Sequence, residues 1–279
     1  MNFLYPLAKR FIAGHDLESA KPVIKKLIND GFEVSIDYIG ENSTTLSQAR
    51  SAYHQYGQII KEFRGYNIDI SIKLSQLGLN IHPYLSYMFL HNLAKRAAKC
   101  GHTIRLDMED SSVTDLTRNL AISLYEKHGN TGVAIQANLY RTKQDLKILI
   151  DKNVPIRLVK GAYRETPQIA RPYKEHICAS FFDCAAYLYS EKANRPAIAT
   201  HDEELLSDIE ELIPNPNYYD YEFLYGIRRD LQKKYKKDGK KVRIYIPFGT
   251  QWWPYTVRRL KEWKNLKFVI KNIFKEWFK

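Results

Sequence analysis

Cysteine is scarce, and its three positions, Cys100, Cys178 and Cys184, form no C-x-x-C pair and have no histidine at metal-ligand spacing. This argues against a disulfide framework or a zinc site and fits a reducing cytoplasm. No run approaches the roughly 20 apolar residues that a membrane span needs, so the chain is not expected to cross a bilayer. The start, MNFLYPLAKRF, places Lys9 and Arg10 after a short apolar run. A secretory signal has the opposite order, so no export is expected. Also missing are G-x-G-x-x-G, G-x-x-x-x-G-K-[ST] and G-x-S-x-G, which removes the usual signs of a Rossmann dinucleotide site, a P-loop and a nucleophile elbow.

What is present is a chain of 279 residues, 44% hydrophobic and 27% charged, as in ordinary globular proteins. One domain over residues 1–279 is expected. The formal charge of +12 gathers in 233–241 and 261–279. Such an excess raises nucleic acid, acidic membrane surfaces and anionic ligands as partners.

Short β-branched and aromatic runs alternate with helical periods eight times. The expected strands are 33–39, 68–75, 103–108, 132–138, 155–160, 196–200, 218–225 and 242–247, with helices over 17–30, 83–99 and 173–192 among others. Repeated βα units imply a parallel sheet with right-handed crossovers, and eight of them suggest an α/β fold closed into a (β/α)8 TIM-type barrel. A doubly wound open sheet is the alternative.

Polar residues interrupt the strands near their carboxyl ends: Asp37, Lys73, Asp107, Gln136, Lys160, His201, Glu222 and Tyr245. In this barrel those ends meet on the face where active sites form. Buried Lys73 and Asp107 need partners or a ligand, because an unpaired buried charge costs several kcal/mol. A second cluster, YTVRRLKEW at 255–263, follows the last strand. Arg258 and Arg259 suit a carboxylate, and Glu262 is spaced to pair with either.

Seven motifs stand in order: IKLSQLG (72–78), RLDMED (105–110), AIQANLYRT (134–142), RLVKGAY (157–163), ATHD (199–202), YEFLYG (221–226), and YIPFG with PYTVRRLKE (245–262). Together they resemble the proline dehydrogenase family in its short monofunctional bacterial form, from about Phe11 to Glu262. The resemblance implies a distorted barrel that holds FAD without a Rossmann fold. The implied reaction is oxidation of L-proline to Δ1-pyrroline-5-carboxylate by hydride transfer, with electrons passed to a membrane quinone.

By resemblance, Arg258, Arg259 and Lys73 hold the proline carboxylate, and Tyr163, Tyr245 and Tyr255 enclose the ring. Asp107 and Arg157 form the catalytic polar network with Lys73. Met108, Gln136, Arg157, Val159, Lys160, Gly161, Thr200, His201 and Glu262 contact FAD. A cationic surround of Lys73, Arg258 and Arg259 is expected to lower the proline ammonium pKa. Arg164 after the GAY motif and the short loop carrying Trp252 and Trp253 set the chain apart from the long bifunctional relatives. Tyr245 resembles enzymes for proline rather than hydroxyproline.

Residues 264–279 repeat lysine every fourth position beside an apolar aromatic face, as in a basic amphipathic helix. Two expectations follow: a last helix packed on the barrel, or peripheral contact with an anionic membrane on the cytoplasmic side. A methylenetetrahydrofolate reductase-like flavin barrel and a basic nucleic-acid-binding module are the alternatives in function. The second gives no reason for Lys73, Arg157 and Tyr245 at strand ends, and no nucleic-acid partner is expected.

Overall fold

The computed structural model describes residues 8–213, 215 and 217–263, with side chains as far as Val257. A first helix, α1 (Leu17–Asn29), precedes the barrel. It starts where Asp16 accepts a hydrogen bond from the Ser19 N–H at 2.8 Å and the Ser19 hydroxyl turns back to the cap. This reciprocal cap satisfies amides that the helix itself leaves without partners.

The strands are β1 (Glu33–Tyr38), β2 (Asp69–Ile72), β3 (Thr103–Leu106), β4 (Thr131–Gln136), β5 (Ile156–Val159), β6 (Ala197–Ala199), β7 (Asp220–Leu224) and β8 (Val242–Phe248). They close in that order into a parallel barrel, with β1 paired to both β2 and β8. The open-sheet alternative is thereby excluded. After each strand comes a helix: α2 (Leu46–Glu62), α3 (Pro83–Ala98), α4 (Thr114–His128), α5 (Thr142–Asp151), α6 (Lys174–Ser190), α7 (Glu203–Leu212), α8 (Arg229–Lys237) and α9 (Trp252–Trp263). All eight expected strands are present, with ends displaced by three residues at most; most are shorter than expected, while β4 begins one residue earlier and β8 ends one residue later.

Alternation in these strands is inverted relative to a half-solvated sheet. Val34, Ile36, Ile70, Ile72, Ile104, Leu106, Leu158, Ile244 and Ile246 are buried in the main apolar core. The helices need an apolar partner on the outside of the barrel, so the apolar positions face outward. The inward positions carry Glu33, Ser35 and Asp37 on β1, Asp69 and Ser71 on β2, Arg105 on β3, Arg157 on β5, and Arg243 and Tyr245 on β8.

Those inward residues form tiers. At the amino-terminal end Arg105 donates to Asp69 at 2.8 Å, and Arg243 pairs with Asp220 at 2.8 Å and with Glu33. Three arginines, Arg105, Arg157 and Arg243, are at most 2% exposed. Buried guanidinium groups are tolerable only when every charge meets an opposite one, and the tiers supply those partners. The interior is therefore a stack of ion pairs, whereas many barrels of this type fill it with branched apolar side chains.

Candidate active site

Above the lower tier, Arg157 crosses the barrel from β5. Its Nε donates to Glu222 at 2.6 Å, Nη1 to Asp107 at 2.8 Å, and Nη2 to Ser35 at 2.7 Å, while Ser71 accepts from both terminal nitrogens at 3.1 Å. Burial by itself lowers its pKa, but Glu222 and Asp107 more than reverse this, so the guanidinium stays charged. It also lies 5.3 Å from the centroid of the Tyr245 ring.

One step nearer the mouth, Lys73 stands just beyond β2 between two carboxylates. Its Nζ donates to Asp37 at 3.2 Å and to Asp107 at 3.3 Å, and Asp107 also accepts the Tyr245 hydroxyl at 2.7 Å. Two acids sharing one ammonium titrate apart. Burial raises the Asp37 pKa from its ordinary value despite Lys73. Burial also acts to raise Asp107, but Lys73, Arg157 and the Tyr245 hydroxyl together outweigh it and hold this acid low. The two acids lift the Lys73 ammonium against its own desolvation, and burial followed by Asp107 lifts the Tyr245 phenol.

Above this cluster Asp37, Ile39, Gly40, Glu41, Lys73, Gln251, Pro254 and Tyr255 line a cavity of about 60 Å³. The Tyr163 hydroxyl, from the loop after β5, donates to Glu41 at 3.3 Å. Thus Asp37, Lys73, Asp107, Arg157, Glu222 and Tyr245 form one connected network, with Tyr163 and Tyr255 at its mouth. The side chains of Arg258, Arg259 and Glu262 and the 264–279 tail lie outside the described residues. The α9 backbone that carries the three side chains begins at the cavity wall.

Of the expected cofactor residues, Met108, Gln136, Val159, Lys160, Gly161, Thr200 and His201 lie at or just beyond the ends of β3 to β6, a second sector of the rim. Lys160 pairs with Asp202 at 2.6 Å and approaches the Cys178 sulfur at 3.1 Å. The Thr200 hydroxyl accepts from the Asp202 N–H at 3.2 Å, and His201 Nε2 accepts from the Leu224 N–H at 3.0 Å. Gln136 donates to the Glu109 carbonyl at 3.0 Å, Met108 is buried, and Val159 is partly exposed. Gly161 has φ +110° and lies so close to Asn138 that a Cβ there would overlap its carboxamide.

The same Asn138 has a buried side-chain oxygen without a partner. An unsatisfied buried acceptor costs about 1–3 kcal/mol. A flavin carries ribityl hydroxyl and ring N–H donors, so this sector fits such a group. Sequence reasoning passed over Ser35, Ser71, Glu41, Glu109, Asn138 and Asp202. The alternating pattern E-V-S-I-D and D-I-S-I-K contained the signal for the two serines.

A closed parallel barrel with a buried charge network at the carboxyl ends of its strands is the architecture of a barrel enzyme. The family model "Proline dehydrogenase" matches residues 20–271. Proline dehydrogenase 1 of Bacillus subtilis (strain 168) is 32% identical over 276 residues, covering 96% of this chain and 91% of that one. Proline dehydrogenase of Deinococcus radiodurans is 31% identical, covering 98% and 91%. The chain belongs to the proline dehydrogenase family, and so to the oxidoreductases. Among solved structures, proline utilization A from Bdellovibrio bacteriovorus inactivated by N-propargylglycine superposes with a TM-score of 0.84 at 25% identity. The match covers 93% of this chain and 33% of that much longer one.

Proposed function

We propose that this chain oxidises L-proline to Δ1-pyrroline-5-carboxylate at the barrel mouth, with FAD as cofactor and a quinone as the final acceptor. The observation that carries the reading is the network Asp37–Lys73–Asp107–Tyr245 beneath a small cavity, with Arg157 below it, in a chain of this family. When bound, FAD supplies a two-electron acceptor. Met108, Gln136, Arg157, Val159, Lys160, Gly161, Thr200, His201 and Glu262 are the residues assigned to hold it.

Oxidation at a C–N bond asks little acid or base work of the protein and much positioning. In this reading Arg258 and Arg259 hold the substrate carboxylate, with Lys73 as a third cation. The rings of Tyr163, Tyr245 and Tyr255 cover the pyrrolidine and exclude water. Lys73 is already shared between Asp37 and Asp107, so it has little unpaired charge left to bias the proline nitrogen. The two guanidinium groups therefore carry most of the preference for the neutral amine, which is the form able to release electrons. Asp107 keeps Lys73, Tyr245 and Arg157 in fixed orientation, and its low pKa preserves that arrangement at neutral pH.

The 264–279 tail is assigned peripheral contact with an anionic membrane, which brings the enzyme to its quinone. Vesicle co-sedimentation with anionic lipid tests this, since the full chain should bind and a chain ending at Asn265 should not. Among the described residues no helix is long and apolar enough to cross a membrane. The reaction itself is tested by incubating the purified protein with L-proline and a soluble quinone analogue. Pyrroline-5-carboxylate should appear with quinone consumption, and its absence in flavin-loaded protein would reject the reading.

A further inference from the structure

Apart from the main core, a second apolar cluster sits at the barrel mouth. Ala8, Phe11, Ile12, Ile39, Ile227 and Tyr255 are buried together, with Leu224 and Trp252 packed against them. These residues come from four separated stretches: the amino-terminal segment, the exit of β1, the turn after β7, and the start of α9. Two of them, Ile39 and Tyr255, also line the cavity over Lys73. The apolar backing of the pocket wall is thus supplied by residues 8–12.

That segment is fastened at several points. The Phe11 and Ile12 N–H groups donate to the Ala8 carbonyl at 2.8 and 3.0 Å, making one turn. Ala13 N–H donates to Pro247 O at 2.9 Å, and Gly249 N–H donates to Gly14 O at 3.0 Å. The strap is therefore stapled to the exit of β8, immediately before the loop that leads into α9. Its other edge touches the β7 exit, where Gly226 has φ +77° and a Cβ would overlap the Arg10 carbonyl. Only glycine meets both demands there.

We propose that the strap Ala8–Gly14 sets the position of the first turn of α9 and thereby the geometry of the substrate pocket, with Phe11 and Ile12 as positioning residues. The proposal rests on the proline-oxidising assignment for its substrate, and on the packing alone for its mechanics. Tyr255 belongs to the cluster that holds Phe11, and that cluster is separate from the main core, so shrinking Phe11 releases α9 rather than the barrel. A small displacement at that helix start moves Tyr255 and the backbone that carries Arg258 and Arg259, whereas the Lys73–Asp107–Arg157 network keeps its own anchors.

The test compares wild type, Phe11→Ala, Phe11→Leu, Gly226→Ala and, as a main-core control, Leu146→Ala on α5. Amide hydrogen exchange is followed in peptides covering Trp252–Trp263 without substrate, and KM and kcat for L-proline are measured separately. Phe11→Ala and Gly226→Ala should speed exchange in α9 by roughly tenfold or more. They should also raise KM by roughly tenfold while kcat and flavin content change little. Phe11→Leu should restore most of both, and Leu146→Ala should lower the melting temperature without either effect. Exchange in α9 unchanged by Phe11→Ala and Gly226→Ala, or disturbed equally by Leu146→Ala, overturns the proposal. Exchange is read without proline, so a chain that fails to oxidise proline still decides whether the strap holds α9.

Discussion

Arg157 reaches across the barrel from β5 to place Nη1 2.8 Å from Oδ1 of Asp107, beyond the end of β3. That ion pair joins the buried tier of the interior to the acid that orients Lys73 and Tyr245. Removing the acid takes one of two carboxylate partners from each of two cations at once, leaving Lys73 with Asp37 and Arg157 with Glu222. Asp107→Ala should destabilise the fold by about 1–3 kcal/mol, since each cation loses a buried charge-assisted hydrogen bond while keeping its other acid. The catalytic effect should be a fall in kcat/KM on the order of 100-fold, from lost charge-assisted hydrogen bonds of about 1.5–3 kcal/mol. Urea denaturation and steady-state kinetics measure the two effects.

The Tyr245 hydroxyl donates to Asp107 at 2.7 Å and helps hold the pKa of that acid down. Tyr245→Phe removes this help, so the Asp107 pKa should rise toward the ordinary carboxylate range. With a depressed folded pKa, the charged network persists above the carboxylate range and is lost as pH falls through that value. The acid limb of the kcat/KM profile should therefore move to higher pH in the variant. A limb that stays put or moves lower contradicts the arrangement.

At the opposite end of the barrel Asp69 binds Arg105 and lies 3.4 Å from Arg243. Burial raises its pKa, but Arg243 and Arg105 outweigh this and leave it far below the usual range. Stability from this acid is thus complete at neutral pH and declines only in strong acid. Asp69→Asn should cost about 3–5 kcal/mol at neutral pH, and the difference from wild type should shrink as pH falls. Turnover per folded molecule should stay near that of wild type, since Asp69 lies a full tier below the site. Urea titrations across pH, paired with activity, decide this.

Gly161 occupies φ +110° against the Asn138 carboxamide. Gly161→Ala adds strain of about 1–3 kcal/mol and displaces Asn138 from the sector assigned to the flavin. The purified variant should retain less flavin than wild type, read as a lower ratio of visible to ultraviolet absorbance. Equal retention would remove Gly161 and Asn138 from the cofactor assignment.

Much of the fold was legible because eight apolar runs recur with helical stretches between them, and the barrel satisfies that order. Asp37, Lys73, Asp107, Glu222 and Tyr245 stood out as polar residues inside apolar runs. The lower tier was harder to see. In E-V-S-I-D the alternation marks two faces without saying which is solvent, and here the polar face is the sealed one. Arg243 and Asp69 therefore read as ordinary strand polars until the ring closed and set them side by side. The strap was illegible for a different reason: Phe11 and Tyr255 are far apart in sequence, and no local pattern announces that they share one buried cluster.

The most direct measurement is the visible spectrum of the flavin-loaded protein before and after anaerobic addition of L-proline. The account predicts loss of the flavin band with L-proline and none with NADH. A band unchanged by L-proline, or bleached by NADH instead, would contradict it.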